Sequence, residues 1–185
     1  MIRIGIDPSI NSTGICIKKG KKTLYYIITS KMTKKMKAFK SHYITYLPYE
    51  KQDAKNEDYS TKENIKFSNI YSICEHIYNI VSNLNCEEVE VYMEGVSYGS
   101  IGSAALVDLS FLNASIRMTL KRLNVPFTIV SPTSLKKFAC ANGQADKFLM
   151  IDAWKRMDKN ISDIKDIKID DLADSYFLAC YKSEN

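Results

Sequence analysis

The chain has 185 residues, 45% of them hydrophobic and 25% charged, which gives room for one domain with a real core and excludes a disordered chain. Its net charge of +5, with nine lysines and no acid between Lys18 and Lys40, points to a polyanionic partner. Nucleic acid fits better than a membrane surface because no strongly apolar face accompanies the lysines, although a solvated basic hairpin explains the same run more plainly.

The predicted elements begin with three strands, Ile2 to Ile6, Gly14 to Lys18 and Thr23 to Thr29, a meander by pattern. The first ends on Asp7, and Pro8, Ser9, Asn11, Ser12 and Gly14 then turn the chain back. Turn chemistry alone would account for an aspartate there. Residues 30–62 are polar, basic at their start and interrupted by Pro48. They read as an insertion, an extended hairpin or mobile loop with little claim on the core.

Helical periodicity starts near Glu63, with Ile65, Ile70, Ile73, Ile77, Ile80 and Val81 at three- and four-residue steps up to Leu84. Val89 to Gly95 reads as a strand carrying a second carboxylate, Glu94, at its end, and a Gly/Ser-rich turn runs on to Ser103. Ala104 to Leu123 is a helix with two apolar stripes: Leu109, Leu112, Ile116, Leu120 and Leu123 on one side, Val107, Phe111, Ala114 and Met118 on the other. One stripe serves the core. The second needs either a partner, which would make it a homodimer seam, or burial on both sides.

Phe127 to Val130 is the next strand, and Ser131-Pro132-Thr133 caps a short helix to about Phe138 that Asn142-Gly143 ends. Helices over Ala145 to Met157 and Ile169 to Tyr181 complete the chain. This order predicts a single α/β domain over residues 1–185, a mixed five-stranded sheet flanked by helices on both faces. Five widely spaced cysteines without a Cys-x-x-Cys pair, and only two histidines, argue against a disulfide framework and a nitrogen/sulfur metal site. With no leader pattern at the start and no run long enough to span a bilayer, the expectation is a cytoplasmic protein without a membrane partner.

The last helix opens with Asp170-Asp171-Leu172-Ala173-Asp174. A helix N-terminus favours acids, which accounts for Asp170 but poorly for Asp174. Asp171 and Asp174 lie one turn apart on one face, flanked by Leu172, Leu178 and Ala179, and two like charges on a half-buried face persist only where a cation offsets their repulsion. If the strand ends at Asp7 and Glu94 converge with this pair, four carboxylates make an oxygen-only pocket suited to Mg²⁺ or Mn²⁺. Two ions roughly 4 Å apart would activate a water and stabilise the leaving 3′ oxygen of a phosphodiester.

The series Ile4-Gly5-Ile6-Asp7-Pro8-Ser9 with Gly14, then Tyr92-Met93-Glu94-Gly95, Pro132 to Lys147, and Asp171-Leu172-Ala173-Asp174 resembles the RuvC-type Holliday junction resolvases, among them the resolvase-like proteins of bacteriophages. The resemblance covers nearly the whole chain except residues 30–62 and implies a ribonuclease H-like fold. It also implies Asp7, Glu94, Asp171 and Asp174 as metal-binding catalytic acids with two Mg²⁺ per site. Lys136 and Lys147 match lysines that contact the junction and support cleavage, and Lys137 beside them is a further candidate for a phosphate contact. Where many members place a junction-wedging aromatic three positions after the glutamate, this chain has Ser97, with Tyr98 next; Tyr98 either replaces the wedge by stacking on an opened base or is an ordinary loop tyrosine.

The implied activity is a crossover junction endodeoxyribonuclease. It nicks opposed strands of a four-way junction to leave 5′-phosphate and 3′-hydroxyl ends, and acts as a homodimer whose two-fold axis matches its target. Three other readings stay open. One is a broader branch or flap nuclease. Another is an actin-like nucleotide-binding protein, which opens with a similar strand, Asp and glycine-containing turn but needs two such halves. The last is a silent DNA-binding module, which would gain nothing from carboxylates facing phosphates.

Overall fold

The computed structural model describes residues 1–38, 41–85, 88–96, 104–158 and 169–181. Three strands, β1 (Ile2–Asp7), β2 (Ser12–Lys19) and β3 (Lys22–Thr29), form the expected antiparallel meander. A short helix α1 (Lys34–Ala38) and a fourth strand β4 (Ile44–Pro48) follow, then the long helix α2 (Tyr59–Ser82). Strand β5 (Val89–Glu94), helix α3 (Ala104–Arg122) and strand β6 (Phe127–Val130) lead into three further helices, α4 (Pro132–Cys140), α5 (Lys147–Met157) and α6 (Ile169–Cys180).

The sheet has six strands in the order β4-β3-β2-β1-β5-β6, not the expected five. The additional strand comes from the insertion. β4 pairs parallel to β3, with Tyr25 opposite Ile44 and Thr29 opposite Pro48, and Ile44, Met36 and Tyr49 are buried. Residues 30–62 therefore do have a claim on the core. Pro48 is tolerated because β4 is an edge strand whose outer side needs no ladder hydrogen bond.

Alternation along the strands assigns the two faces. Ile2, Ile4 and Ile6 of β1, with Val89, Val91 and Met93 of β5, pack on α2 and α3 through Ile73, Ile77, Leu112 and Ile116. The opposite face, carrying Cys16, Tyr25, Ile27 and Tyr92, is covered by α4, α5 and α6 through Leu135, Trp154, Leu172 and Leu178. Helix α2 starts at Tyr59, earlier than the periodicity indicated, because Asp58 caps it by accepting from the Thr61 amide at 3.1 Å.

Helix α6 lies against β1 and β2 more closely than side chains would allow. A Cβ at Gly5 would stand 1.9 Å from the Ser175 carbonyl oxygen and 2.5 Å from the Ala179 nitrogen, and one at Gly14 would stand 2.2 Å from the Asp171 oxygen. Glycine at these two positions is what brings the helix down onto the sheet.

The second stripe of α3 faces outward: Val107, Phe111 and Met118 are 52%, 56% and 68% exposed, so the helix is not buried on both sides. Phe67 and Tyr71 on α2 are also exposed, with ring centroids 6.3 Å apart.

Candidate active site

The site is built where β1 and β5 end. The parallel register sets Ile6 beside Met93, so the next residues, Asp7 and Glu94, are neighbours, and the pleat turns both toward α6, the side on which Gly5 and Tyr92 lie. Helix α6 begins at this same end of the sheet, with Asp171 above Gly14, the antiparallel partner of Asp7. The carboxylates of Asp7, Glu94, Asp171 and Asp174 thus act on one another electrostatically.

The cost of that crowding is visible in their acidities. Burial, and then the charges of Glu94, Asp174 and Asp171, raise Asp7 well above the usual carboxylate range. Burial also raises Glu94, while the hydrogen bond from Asp7 and the charge of Lys136 pull it back. Asp174 is pushed up to about 7 by burial and by Glu94, Asp171 and Asp170, with Lys136 opposing.

Two lysines stand in the same cleft, of about 290 Å³, lined by Glu94, Pro132, Lys136, Lys147, Asp170 and Asp174. Lys136 lies on α4, whose start is fixed by Pro132 and by Ser131 accepting from the Ser134 amide. Lys147 opens α5, and its Nζ contacts Asp170 Oδ2 at 2.6 Å. Lys137 is exposed and does not line the cleft. Tyr98 lies outside the described residues.

The turn after Asp7 is held from several sides. Thr13 donates to the Ser9 carbonyl at 2.7 Å and accepts from the Ser9 amide. The Asn11 carbonyl accepts from the Ser30 amide at 3.2 Å, Lys51 Nζ reaches Asn11 Oδ1 at 2.9 Å, and the Tyr49 hydroxyl donates to the Ile10 carbonyl. Tyr49 and Lys51 belong to the insertion, so the segment expected to stand apart anchors the turn beside Asp7.

Sequence reasoning also missed Asn113 and the Lys147–Asp170 pair. Asn113, buried on α3, donates to the Glu94 carbonyl at 2.9 Å and accepts from Arg117 at 2.5 Å, tying the end of β5 to that helix. Its only signal was a polar residue within an apolar stripe. The basic run divides between the two ends of the sheet. Lys18 and Lys22 lie near the far end of the meander, Lys18 over the Tyr176 ring at 4.2 Å, whereas Lys31 adjoins the turn beside Asp7, where Lys51 of the insertion joins it.

Four carboxylates with no nitrogen or sulfur donor suit a hard divalent cation, and their mutual repulsion is what such a cation would relieve. Ser12 adds a buried hydroxyl without a hydrogen-bond partner among the described residues, on the side of β2 that Gly14 shares. Among the described residues no three His, Cys, Asp or Glu side chains already stand in ligating arrangement.

The chain has a ribonuclease H-like fold. It is similar to RuvC of Thermus thermophilus, with a TM-score of 0.58 and 14% identity over 97% of this chain and 91% of that one. RuvC of the same organism in complex with a Holliday junction substrate gives 0.59 and 15% over 97% and 90%. The yeast mitochondrial Holliday junction resolvase Ydc2 gives 0.51 and 17% over 96% and 75%. Nothing in these likenesses singles out the bacteriophage proteins. No protein-family model and no curated protein sequence matches the chain. Among the described residues, no helix is long and apolar enough to cross a membrane.

Proposed function

We propose that this protein is a divalent-metal-dependent endodeoxyribonuclease that resolves four-way DNA junctions by paired nicks, leaving 5′-phosphate and 3′-hydroxyl ends. The observation that carries the reading is the crowding of Asp7, Glu94, Asp171 and Asp174 at one end of a ribonuclease H-like sheet, beside Lys136 and Lys147. Asp7, Glu94, Asp171 and Asp174 would hold two Mg²⁺ ions, with Mn²⁺ as an alternative. When bound, such ions supply a water-derived nucleophile and stabilise the leaving oxygen.

The chain's own residues bind and orient the strand. Lys136 and Lys147 meet the phosphates flanking the bond to be cut, and the tie between Lys147 and Asp170 keeps that ammonium at the cleft until a phosphate competes for it. Lys137, exposed on α4, adds a contact farther along the backbone. A second copy docks on the outward stripe of α3, where Val107, Phe111 and Met118 are exposed. The resulting pair of sites matches the two-fold symmetry of a four-way junction. The solved complex of RuvC with a Holliday junction substrate supports branched DNA as the ligand.

Nicking of a synthetic four-way junction, assayed in Mg²⁺ beside linear duplex and single-stranded DNA, tests the reading. Asp171→Asn is expected to bind the junction as the wild type does and to lose nicking. Cleavage that survives Asp171→Asn, or equal cleavage of linear duplex, overturns it.

A further inference from the structure

The strand register draws one edge across the sheet. Pro48 of β4 stands opposite Thr29 of β3, Thr29 opposite Ser12 of β2, Gly14 opposite Asp7 of β1, and Glu94 of β5 opposite Val130 of β6. Asp7 and Glu94 therefore sit at the middle of that edge. On the β6 side the chain runs through Ser131 into α4 and Lys136, which lines the acidic cleft. On the β3 and β4 side it runs into Lys31 and Lys51. Lysines thus flank the acids from both directions.

Lys51 is held in place by its neighbours. The Tyr49 amide donates to the Thr29 carbonyl at 3.0 Å, and Asn69, buried on α2, accepts from the Gln52 amide at 3.0 Å and donates to the Gln52 carbonyl at 3.2 Å. The Lys51 Nζ reaches back over the edge to Asn11 Oδ1 at 2.9 Å, in the turn that joins β1 to β2. That partner is a neutral amide, which takes one of the ammonium's protons and none of its charge. Lys31 and Lys51 are both exposed, and neither is in an ion pair among the described residues. From Ser30 to Lys51 the chain holds six lysines against one acid, Glu50.

A positioned ammonium without a counter-charge, on the edge that carries the acids, suits an anion that arrives with the substrate. We infer that Lys51, assisted by Lys31, binds a backbone phosphate of the DNA on the β3 side of the bond to be cut, across the acids from Lys136 and Lys147. This role rests on the proposed nuclease reading. Neighbouring strands lie about 4.8 Å apart, so the end of β3 is about 10 Å from the end of β1. Each strand of a duplex presents a phosphate about every 3.4 Å of its axis, which places the contact about three nucleotides from the nick. The insertion then both braces the Asp7 turn and lengthens the phosphate track along the edge.

Binding of a four-way junction in Ca²⁺ at several salt concentrations, beside nicking in Mg²⁺, tests the inference. Lys51→Gln is expected to bind more weakly at low salt, with a deficit that shrinks about threefold between about 50 and 200 mM salt, because one phosphate contact contributes about 0.9 to the salt slope. Adding Lys31→Gln is expected to reduce the slope further. The maximal nicking rate at saturating junction and the unfolding midpoint are expected to stay unchanged. A single uncharged methylphosphonate about three nucleotides from the nick is expected to weaken wild type and to leave Lys51→Gln unaffected. Asn11→Ala, which keeps the ammonium and removes its tie, is expected to retain the full slope, and Lys51→Arg to restore it.

A full salt slope in Lys51→Gln overturns the inference. So does a fall in maximal nicking rate and stability with the slope unchanged, which would make Lys51 a brace for the turn and nothing more. Loss of the wild-type advantage over Lys51→Gln on adding inorganic phosphate at constant ionic strength, before junction binding itself is displaced, would assign the ammonium to a free anion instead. A wild type that shows the lysine-dependent slope and never nicks leaves the phosphate contact standing and removes the enzyme; nicking with an unchanged slope in both variants does the reverse.

Discussion

Asp174→Asn should make the metal-free protein more stable while removing its activity. The Asp174 carboxyl sits near 7 against an ordinary value of 3.8, and at about 1.36 kcal/mol per pH unit its ionisation costs the metal-free fold about 4 kcal/mol. Solvent in the cleft lowers the expected figure to about 2–4 kcal/mol. A raised folded value means that the folded protein holds the proton longer than the unfolded chain does. The cost is therefore absent below about pH 4, grows between about pH 4 and 7, and is full above that. Asparagine has the same shape and no charge, so at pH 8 without metal Asp174→Asn should melt roughly 5–10 °C higher, with the difference shrinking as pH falls. Saturating Mg²⁺ should stabilise the wild type strongly and the variant little. Thermal melts at pH 5 and 8, with and without Mg²⁺, read both effects beside junction nicking. An unchanged or lower melting point for the variant at pH 8 would refute the account of repelling carboxylates.

Three further perturbations probe how the site is held. Gly14→Ala drives a Cβ into the Asp171 backbone, 2.2 Å from its oxygen. It should cost about 2–3 kcal/mol in urea unfolding and nearly abolish nicking by shifting α6; a variant with wild-type stability and rate would show that the close approach is unimportant. Tyr25→Phe removes a buried hydroxyl that donates to Asp158 at 2.6 Å and accepts from Trp154 at 3.0 Å. It should cost about 2 kcal/mol yet leave nicking per folded molecule unchanged, and a loss of activity at full stability would contradict that structural role. Tyr49→Phe frees the Ile10 carbonyl in the turn beside Asp7. A stability loss of about 1 kcal/mol with a severalfold fall in nicking is expected, and an unchanged nicking rate would separate the insertion from the chemistry.

What the sequence made legible was whatever repeats or ends an element. Ile2, Ile4 and Ile6 alternate, so β1 and its buried face could be read, and with them the position of Asp7 at the strand's end. Glu94 followed from the same pattern in β5, and Asp171 and Asp174 from one helical turn. Single contacts between distant segments left no such trace. Asp170 looked like a residue favoured by the helix dipole, and its tie to Lys147 spans 23 positions. Asn113 is a polar residue within an apolar stripe, and nothing local ties it to the end of β5. Gly14 looked like a turn residue, whereas α6 needs it bare.

The insertion shows why local pattern misled there. Pro48 and the surrounding lysines punctuate the chain as a loop would, but an edge strand needs a ladder on one side only, and β3 supplies it. Once β4 is paired, Tyr49 and Lys51 fall beside Ile10 and Asn11. The Asp7 turn, which its own residues half-define through Ser9 and Thr13, is then fixed from outside. Holding a carboxylate among three others requires such bracing, because the like charges that, after burial, raise Asp7 also push its strand end away. Glycines that let α6 descend, Asn113 on the end of β5 and the insertion on the turn all oppose that push. The residues that sequence reasoning passed over are therefore largely those that keep the four acids together before any cation arrives.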